Sequence, residues 1–379
     1  MRIVIAPDSF KGSMSSVEAA KAIAAGFLAV DPSVECILVP MADGGEGTVD
    51  AMLLSSGGEK VECEVEDPLG RSITAYYGWF EQKKVAVIEI ATASGLPLLK
   101  PHEYDPLRAS TYGTGQLIQD ALSRGAAQII IGLGGSATID GGTGCLQALG
   151  IRFYDRAGKE IRRVGGQLSE IATIDRSQLD TRLHNTTLTI ASDVTNPLLG
   201  NEGSVHVFGR QKGVRTEQLA AFESGMAYYA RLVEQEMQVD YANHPGSGAA
   251  GGFGFGLLAF CNCQLESGFA LVAQVADLEA KIQGAQLVIS GEGSIDSQSL
   301  FGKVPVGVGL LAKKHGVVAL GFAGKIGINI ESLQETGISL VLPIVDQPMD
   351  LAAAMEQGPS LIQRASERFY RTYSLGASK

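Results

Sequence analysis

Positive charge is in deficit in this chain: 30 lysines and arginines stand against 41 aspartates and glutamates, a formal net charge of −11. That balance argues against broad contact with nucleic acid or an anionic membrane surface. No apolar run has the length needed to cross a bilayer. The opening, Met1-Arg2-Ile3-Val4-Ile5, reads as a strand followed at once by Pro7-Asp8, too short for a signal peptide. Cysteine is sparse as well. Five cysteines, an odd number with no C-x-x-C pair, fit reduced thiols and a cytoplasmic protein. Cys261 and Cys263 are two apart, but no histidine or cysteine partner sits at metal spacing, so buried thiols are expected there.

Several catalytic signatures are missing too. Gly158-Lys159, Gly302-Lys303 and Gly324-Lys325 are never followed by Ser or Thr, so there is no P-loop. A G-x-S-x-G elbow is absent, and His102, His184, His206, His244 and His315 lie far apart. A zinc hydrolase or a Ser-His-Asp hydrolase has little support.

Glycine, in contrast, is abundant, with 48 residues clustered in loops and no repeat period. The stretch Ile129–Gly144 runs from apolar strand into Gly132-Leu133-Gly134-Gly135-Ser136-Ala137-Thr138, then Asp140-Gly141-Gly142 and a helix. Clustered glycines before a helix let backbone N–H groups approach an anion at the positive end of the helix dipole. Similar clusters stand at Asp43–Gly47, Pro245–Gly252 and Gly291–Asp296. A phosphate-handling enzyme follows as the first expectation. Gly132-x-Gly134-x-x-Ala137, with Asp155 ending the next strand, also matches a dinucleotide fingerprint. An NAD-dependent oxidoreductase of a small hydroxy acid is therefore an alternative, although Thr138–Gly142 interrupts the passage into the helix.

The length exceeds one typical domain. A strand at Arg2–Ala6, a helix opened by the capping box Ser15-x-x-Glu18 and ending near Val30, and a strand at Glu35–Val39 begin a parallel, doubly wound α/β sheet. From Asp67-Pro68-Leu69-Gly70 the pattern changes. Strands at Ser72–Phe80 and Lys84–Ile90 flank Glu81-Gln82-Lys83 as a hairpin, and a mixed α+β section follows. Thr216–Glu236 reads as one long helix and Gly246–Phe260 as a glycine-rich one. From Ala285 the first pattern returns: a strand at Leu287–Ser290, a helix at Pro305–Lys314, strands at Val317–Phe322 and Ser339–Pro343, and a closing helix at Met349–Tyr370. The expected organisation is a discontinuous α/β domain, residues 1–67 plus 284–379, with a mixed α+β domain inserted at 68–283.

Phosphoryl transfer needs N–H groups around phosphate, a cation for developing charge, a carboxylate for Mg²⁺ and often one to take the hydroxyl proton. Candidates at strand ends are Asp8, Asp43, Glu46, Asp140, Asp193, Glu292 and Asp296, with Lys11, Lys212, Lys303 and Lys325 in similar loops. Six motifs together carry a resemblance. They are Ala6-Pro7-Asp8-Ser9-Phe10-Lys11-Gly12-Ser13, Ala42-Asp43-Gly44-Gly45-Glu46-Gly47-Thr48, the Gly132–Gly142 stretch, Ser192-Asp193-Val194-Thr195-Asn196-Pro197-Leu198, Phe208-Gly209-Arg210-Gln211-Lys212-Gly213, and Gly291-Glu292-Gly293-Ser294-Ile295-Asp296 with Gly302-Lys303. In order and spacing they resemble the bacterial glycerate kinase family over essentially the whole chain. At Tyr112 and Ser294 the chain departs from the arginines that members often carry.

The resemblance implies a flavodoxin-like domain carrying the inserted one. It also implies a cytoplasmic enzyme that uses ATP and Mg²⁺ to phosphorylate D-glycerate at the 2-hydroxyl, the 3-hydroxyl being the alternative. On that footing Asp193 takes the hydroxyl proton or holds Mg²⁺, Asp43 is the second carboxylate, and Lys11 is the cation for the transferring phosphate. Gly134, Gly135, Ser136, Gly291, Glu292, Gly293, Asp296 and Lys303 are expected to hold nucleotide or phosphate. Ser9, Asn196, Arg210 and Lys212 are expected to hold substrate, with Arg210 or Lys212 pairing with the glycerate carboxylate.

Overall fold

The computed structural model describes residues 1–296, 304–327 and 336–377, and the chain divides into two compact units. The first comprises Met1–Asp43, Asp50–Gly57 and Phe269–Lys379; the second comprises Gly44–Val49 and Gly58–Gly268.

The first unit is built on an all-parallel five-stranded sheet. Across the sheet the strands run Ile338–Pro343, Val318–Gly327, Leu287–Asp296, Arg2–Ile5 and Glu35–Leu38. Numbered along the unit this is the order 2-1-3-4-5, the flavodoxin-like arrangement, whose ligand position is the carboxyl end where the order reverses. Ile3, Val4 and Ile5 are wholly buried, as a strand covered on both faces requires. The helix Ser16–Val30 starts at the expected capping box, with the Ser15 Oγ accepting the Glu18 N–H and the Glu18 carboxylate accepting the Ser15 N–H at 2.8 Å. Its face of Ala19, Ile23 and Phe27 packs with Leu361, Ile362 and Ala365 of the terminal helix. Phe27 meets Tyr370 edge-on at 5.4 Å between centroids.

Two elements here differ from expectation. The strand from Leu287 continues through Asp296, pairing residue by residue with Val318–Gly327, so that Glu292 lies opposite Ala323 and Ser294 opposite Lys325. Gly291-Glu292-Gly293 is therefore sheet, not a turn before a helix. The closing helix is two helices, Leu351–Glu356 and Gly358–Ala377. Pro359 near the start of the second explains the restart, since proline suits a first helical turn and not an interior.

The second unit carries a six-stranded mixed sheet in the order Gln264–Glu266, Thr187–Ala191, Gln128–Gly132, Val85–Glu89, Ser72–Phe80, Glu59–Glu66. The first four are parallel, and the last two are added antiparallel through the expected hairpin. Glu59–Glu66 explains why the domain boundary moves. Its alternating Glu-Lys-Val-Glu-Cys-Glu-Val-Glu pattern turns Val61 and Val65 inward against Ser72–Phe80, so the long segment of the second unit starts at Gly58, ahead of the expected residue 68, and Gly44–Val49 joins it from further upstream. At the other end, residues 269–283 belong to the first unit. The helix Leu219–Met237 buries Phe222, Met226, Tyr229 and Val233 at helical spacing, after a short 3₁₀ turn over Thr216–Gln218. The helix Ala249–Phe260 is buried throughout and kinked at Ala250, Gly251 and Gly252, all left-handed. Cys261 and Cys263 are buried thiols as expected, and burial pushes the Cys261 thiol up to about 12. Among the described residues no helix is long and apolar enough to cross a membrane.

Candidate functional site

In the first unit the order reverses between Arg2–Ile5 and Leu287–Asp296, and the chain leaving the first of these strands lies along the second. The Ala6 N–H donates to the Ile289 carbonyl at 2.7 Å and the Asp8 N–H to the Gly291 carbonyl at 2.8 Å. The Ser290 hydroxyl donates to the Ala6 carbonyl at 2.8 Å. A Cβ on Gly293 would stand 3.5 Å from the Lys11 amide nitrogen, so Phe10 and Lys11 pass directly over that glycine. The Ser9 N–H donates to the Asp8 carboxylate at 2.7 Å, which turns the chain after the strand. Ser9, Lys11, Gly291, Glu292 and Gly293 thus share one place at the carboxyl end of the sheet. Lys11 is exposed, whereas Glu292 is buried. Asp43, exposed, follows the neighbouring strand Glu35–Leu38. Asp296 ends its strand, and Lys303 lies outside the described residues.

In the second unit the corresponding end is occupied by the glycine-rich stretch, which differs from a phosphate loop. A Cβ on Gly132 would stand 2.5 Å from the Gly44 carbonyl oxygen, and one on Gly134 would stand 2.6 Å from the Gly45 Cα. These glycines are required by backbone lying on backbone. The Gly135 carbonyl accepts the Leu96 N–H at 2.8 Å, and the Ala137 N–H donates to the Ser94 carbonyl at 2.9 Å. The next helix, Thr143–Ala148, begins only eleven residues after Gly132. The dinucleotide alternative loses its premise, because the glycines face protein and the helix does not follow the turn.

Asp140, Ser136 and the Thr138 carbonyl are likewise engaged internally, whereas the buried Thr138 hydroxyl has no hydrogen-bond partner among the described residues. Asp140, fully buried, accepts the Thr111 N–H and hydroxyl, both at 2.8 Å, the Gly142 N–H at 3.1 Å and the Gly144 N–H at 3.2 Å. It brackets the starts of the helices Tyr112–Ser123 and Thr143–Ala148. Burial raises its pKa, and these bonds oppose the rise. Lys212 is 3% exposed, and its ammonium nitrogen donates to the Ser136 hydroxyl at 2.6 Å and the Thr138 carbonyl at 2.9 Å. Burial lowers the Lys212 pKa from 10.5 to about 7, against the pull of Asp140. The expected pairing of Lys212 with a substrate carboxylate does not suit a side chain so enclosed, nor does a phosphate-holding part for Ser136. Arg210, two residues earlier, is exposed.

Asp193 follows the strand Thr187–Ala191, is exposed, and accepts the Gly268 N–H at 3.3 Å. Asn196 donates through its amide to the Glu202 carbonyl at 2.7 Å, which shapes the turn after Asp193. Glu89 was not singled out from the sequence. It ends the strand Val85–Glu89, is 4% exposed, and accepts the N–H groups of Gly47 at 3.3 Å and Val49 at 2.7 Å. The available signal was a single acid inside the apolar run Val-Ala-Val-Ile-Glu-Ile.

Each unit is thus an α/β body with carboxylate-bearing loops at the carboxyl ends of parallel strands, the design of a small-metabolite enzyme. The sequence profile of the glycerate kinase family matches residues 3–374. The chain is 45% identical to the glycerate kinase of Halalkalibacterium halodurans over 364 residues, covering 96% of each chain. It is 43% identical to the glycerate 2-kinase of Escherichia coli over 376 residues, covering 99% of each. A crystal structure of a candidate glycerate kinase 2 from Salmonella typhimurium LT2 superimposes with a TM-score of 0.89 at 42% identity, covering all of both chains. The chain belongs to the glycerate kinase family.

Proposed function

We propose that this protein transfers the γ-phosphoryl group of ATP to the 2-hydroxyl of D-glycerate, giving 2-phosphoglycerate and ADP. The observation that carries this reading is its 43% identity, end to end, with a relative named as a glycerate 2-kinase. Asp193 takes the proton of the attacking hydroxyl, and its exposure at a strand end suits a base that must reach substrate. Lys11 offers its ammonium to the transferring phosphate; as an exposed side chain on a backbone tied to the next strand, it combines reach with a fixed origin. Arg210 takes over the pairing with the glycerate carboxylate, with Ser9 and Asn196 beside the substrate hydroxyls. Glu292, Gly291, Gly293, Asp296 and Lys303 remain with the nucleotide.

Asp43 in the first unit and Asp193 in the second are each exposed and are hard oxygen donors of the kind Mg²⁺ uses, either one serving with nucleotide phosphates completing the shell. Bound there, Mg²⁺ would neutralise charge on the phosphates.

The test is ADP release in a coupled assay, followed by phosphorus and carbon NMR of the product. ADP release that depends on D-glycerate, with phosphorus coupled to C2, is the expected result. Coupling to C3 would move the acceptor to the 3-hydroxyl, and the absence of glycerate-dependent ADP release would reject the kinase.

A further inference from the structure

Glu89 is a charged residue at the end of a strand whose five residues are all buried. A carboxylate in such surroundings is costly unless its oxygens are hydrogen-bonded. Here both oxygens are directed at one short segment. Oε1 accepts the Val49 N–H at 2.7 Å, and Oε2 accepts the Gly47 N–H at 3.3 Å. Val49 lies in the first turn of the helix Thr48–Ser56, whose leading N–H groups have no partner within the helix. The acid therefore caps that helix from another part of the chain and also meets the positive end of its dipole.

The same segment is held at further points. The Thr48 hydroxyl, wholly buried, donates to the Gly45 carbonyl at 2.7 Å. Gly44 lies against the Ala191 carbonyl, where a Cβ would stand 2.5 Å from the oxygen, and takes φ +89°. Gly45 lies under Gly134, as described above. The backbone from Gly44 to Val49 is thereby held from one end to the other. The side chains it carries outward, Asp43 immediately before it and Glu46 within it, are both exposed acids.

We propose that Glu89 is a positioning residue for phosphoryl transfer. By accepting the Gly47 and Val49 N–H groups, it sets the Asp43–Gly47 loop so that the carboxylates of Asp43 and Glu46 are presented in one geometry. It touches neither substrate nor nucleotide. The proposal rests on the kinase reading above. A loop released by even an ångström at a transfer site costs on the order of a hundredfold in rate.

The test compares the full-length protein with Glu89→Gln, which keeps the shape and one acceptor oxygen but loses the charge and the second acceptor. Two quantities are measured: steady-state kinetics per folded molecule, and hydrogen exchange at peptides covering Gly44–Val49. The expected result is a fall in kcat of about 10- to 100-fold, with KM for glycerate and ATP nearly unchanged and faster exchange confined to that segment. Unchanged kcat per folded molecule, or unchanged exchange, overturns the proposal. Should Glu89→Gln not fold, Glu89→Asp, which keeps the charge but shortens the reach to the Gly47 and Val49 N–H groups, must show the same split; wild-type kcat with wild-type exchange in that variant is equally fatal. The wild type run in parallel keeps the two readings apart. If it releases no ADP with glycerate, the kinase reading fails, while the exchange measurement still decides whether Glu89 clamps the loop.

Discussion

The glycine-rich turn of the second unit and the loop that follows the first strand of the first unit both stand at the carboxyl ends of parallel strands. They use their polar groups in opposite directions. In the turn, Ser136, Thr138 and Asp140 are all buried; Lys212 occupies the Ser136 hydroxyl and the Thr138 carbonyl, and Thr111 and the amides of Gly142 and Gly144 occupy Asp140. In the loop, the backbone is tied down through Ala6 and Asp8 while Lys11 is left exposed. Two stretches in like positions thus differ in what they expose. In the turn, the glycines serve a close approach of backbone to backbone; in the loop, a fixed backbone carries a cation outward. A reactive group has to be available to its substrate, so the loop is the better place to look for chemistry and the turn the better place to look for stability.

The comparison is broken most directly by two substitutions. Lys11→Ala should lower kcat by about 10²- to 10³-fold, the usual loss when a charge aimed at a developing transition state is removed. Because the side chain is exposed, the thermal unfolding profile should be unmoved. Steady-state kinetics beside calorimetry reads both, and near-normal turnover would remove Lys11 from the transfer step. Asp140→Ala should do the reverse. It strands the Thr111, Gly142 and Gly144 amides in a buried site, a loss of about 3 kcal/mol or more, read as an earlier transition in urea. If instead Asp140→Ala folds with wild-type stability and loses turnover, the turn is a catalytic element after all.

Much of the first unit was legible because its signals are local. The Ser15–Glu18 capping box and the strand Arg2–Ile5 are decided within a few residues, and both stand where the sequence places them. What was misread depends on partners remote in sequence. Gly291–Gly293 resembles an anion turn, but a neighbouring strand, Val318–Gly327, draws it into the sheet. Gly132 and Gly134 resemble a dinucleotide loop, but the chain they must admit is Gly44–Gly45, about ninety residues earlier. Lys212 looked like a loop cation because nothing beside it in the sequence says that Ser136 and Thr138 enclose it. Glu89 was passed over for the same reason, its partners being two amides that no side-chain pattern announces. The positions of Asp193, Asp43 and Lys11 at strand ends could be read in advance, since a strand followed by a polar, glycine-bearing turn is a local pattern.

The finest test of the comparison is the protonation of Lys212. In the unfolded chain its ammonium is held to 10.5, whereas in the folded protein burial brings the value down to about 7. Between those two values the unfolded state binds more protons than the folded state, so stability rises as pH rises through that window. Below about 7 the unfavourable contribution is constant, because the lysine is then protonated in both states. A neutral amine still has two N–H groups for Ser136 and Thr138, so no hydrogen bond is lost on deprotonation. Urea unfolding of the wild type and of Lys212→Met at pH 7 and pH 9 isolates the effect. The difference in stability between the two proteins should shift in favour of the wild type as the pH is raised. A difference that stays constant over that interval would mean that the buried amine keeps its proton. The turn would then hold a buried ammonium supported by the nearby charge of Asp140, and the contrast with the exposed charge of Lys11 would be one of access alone.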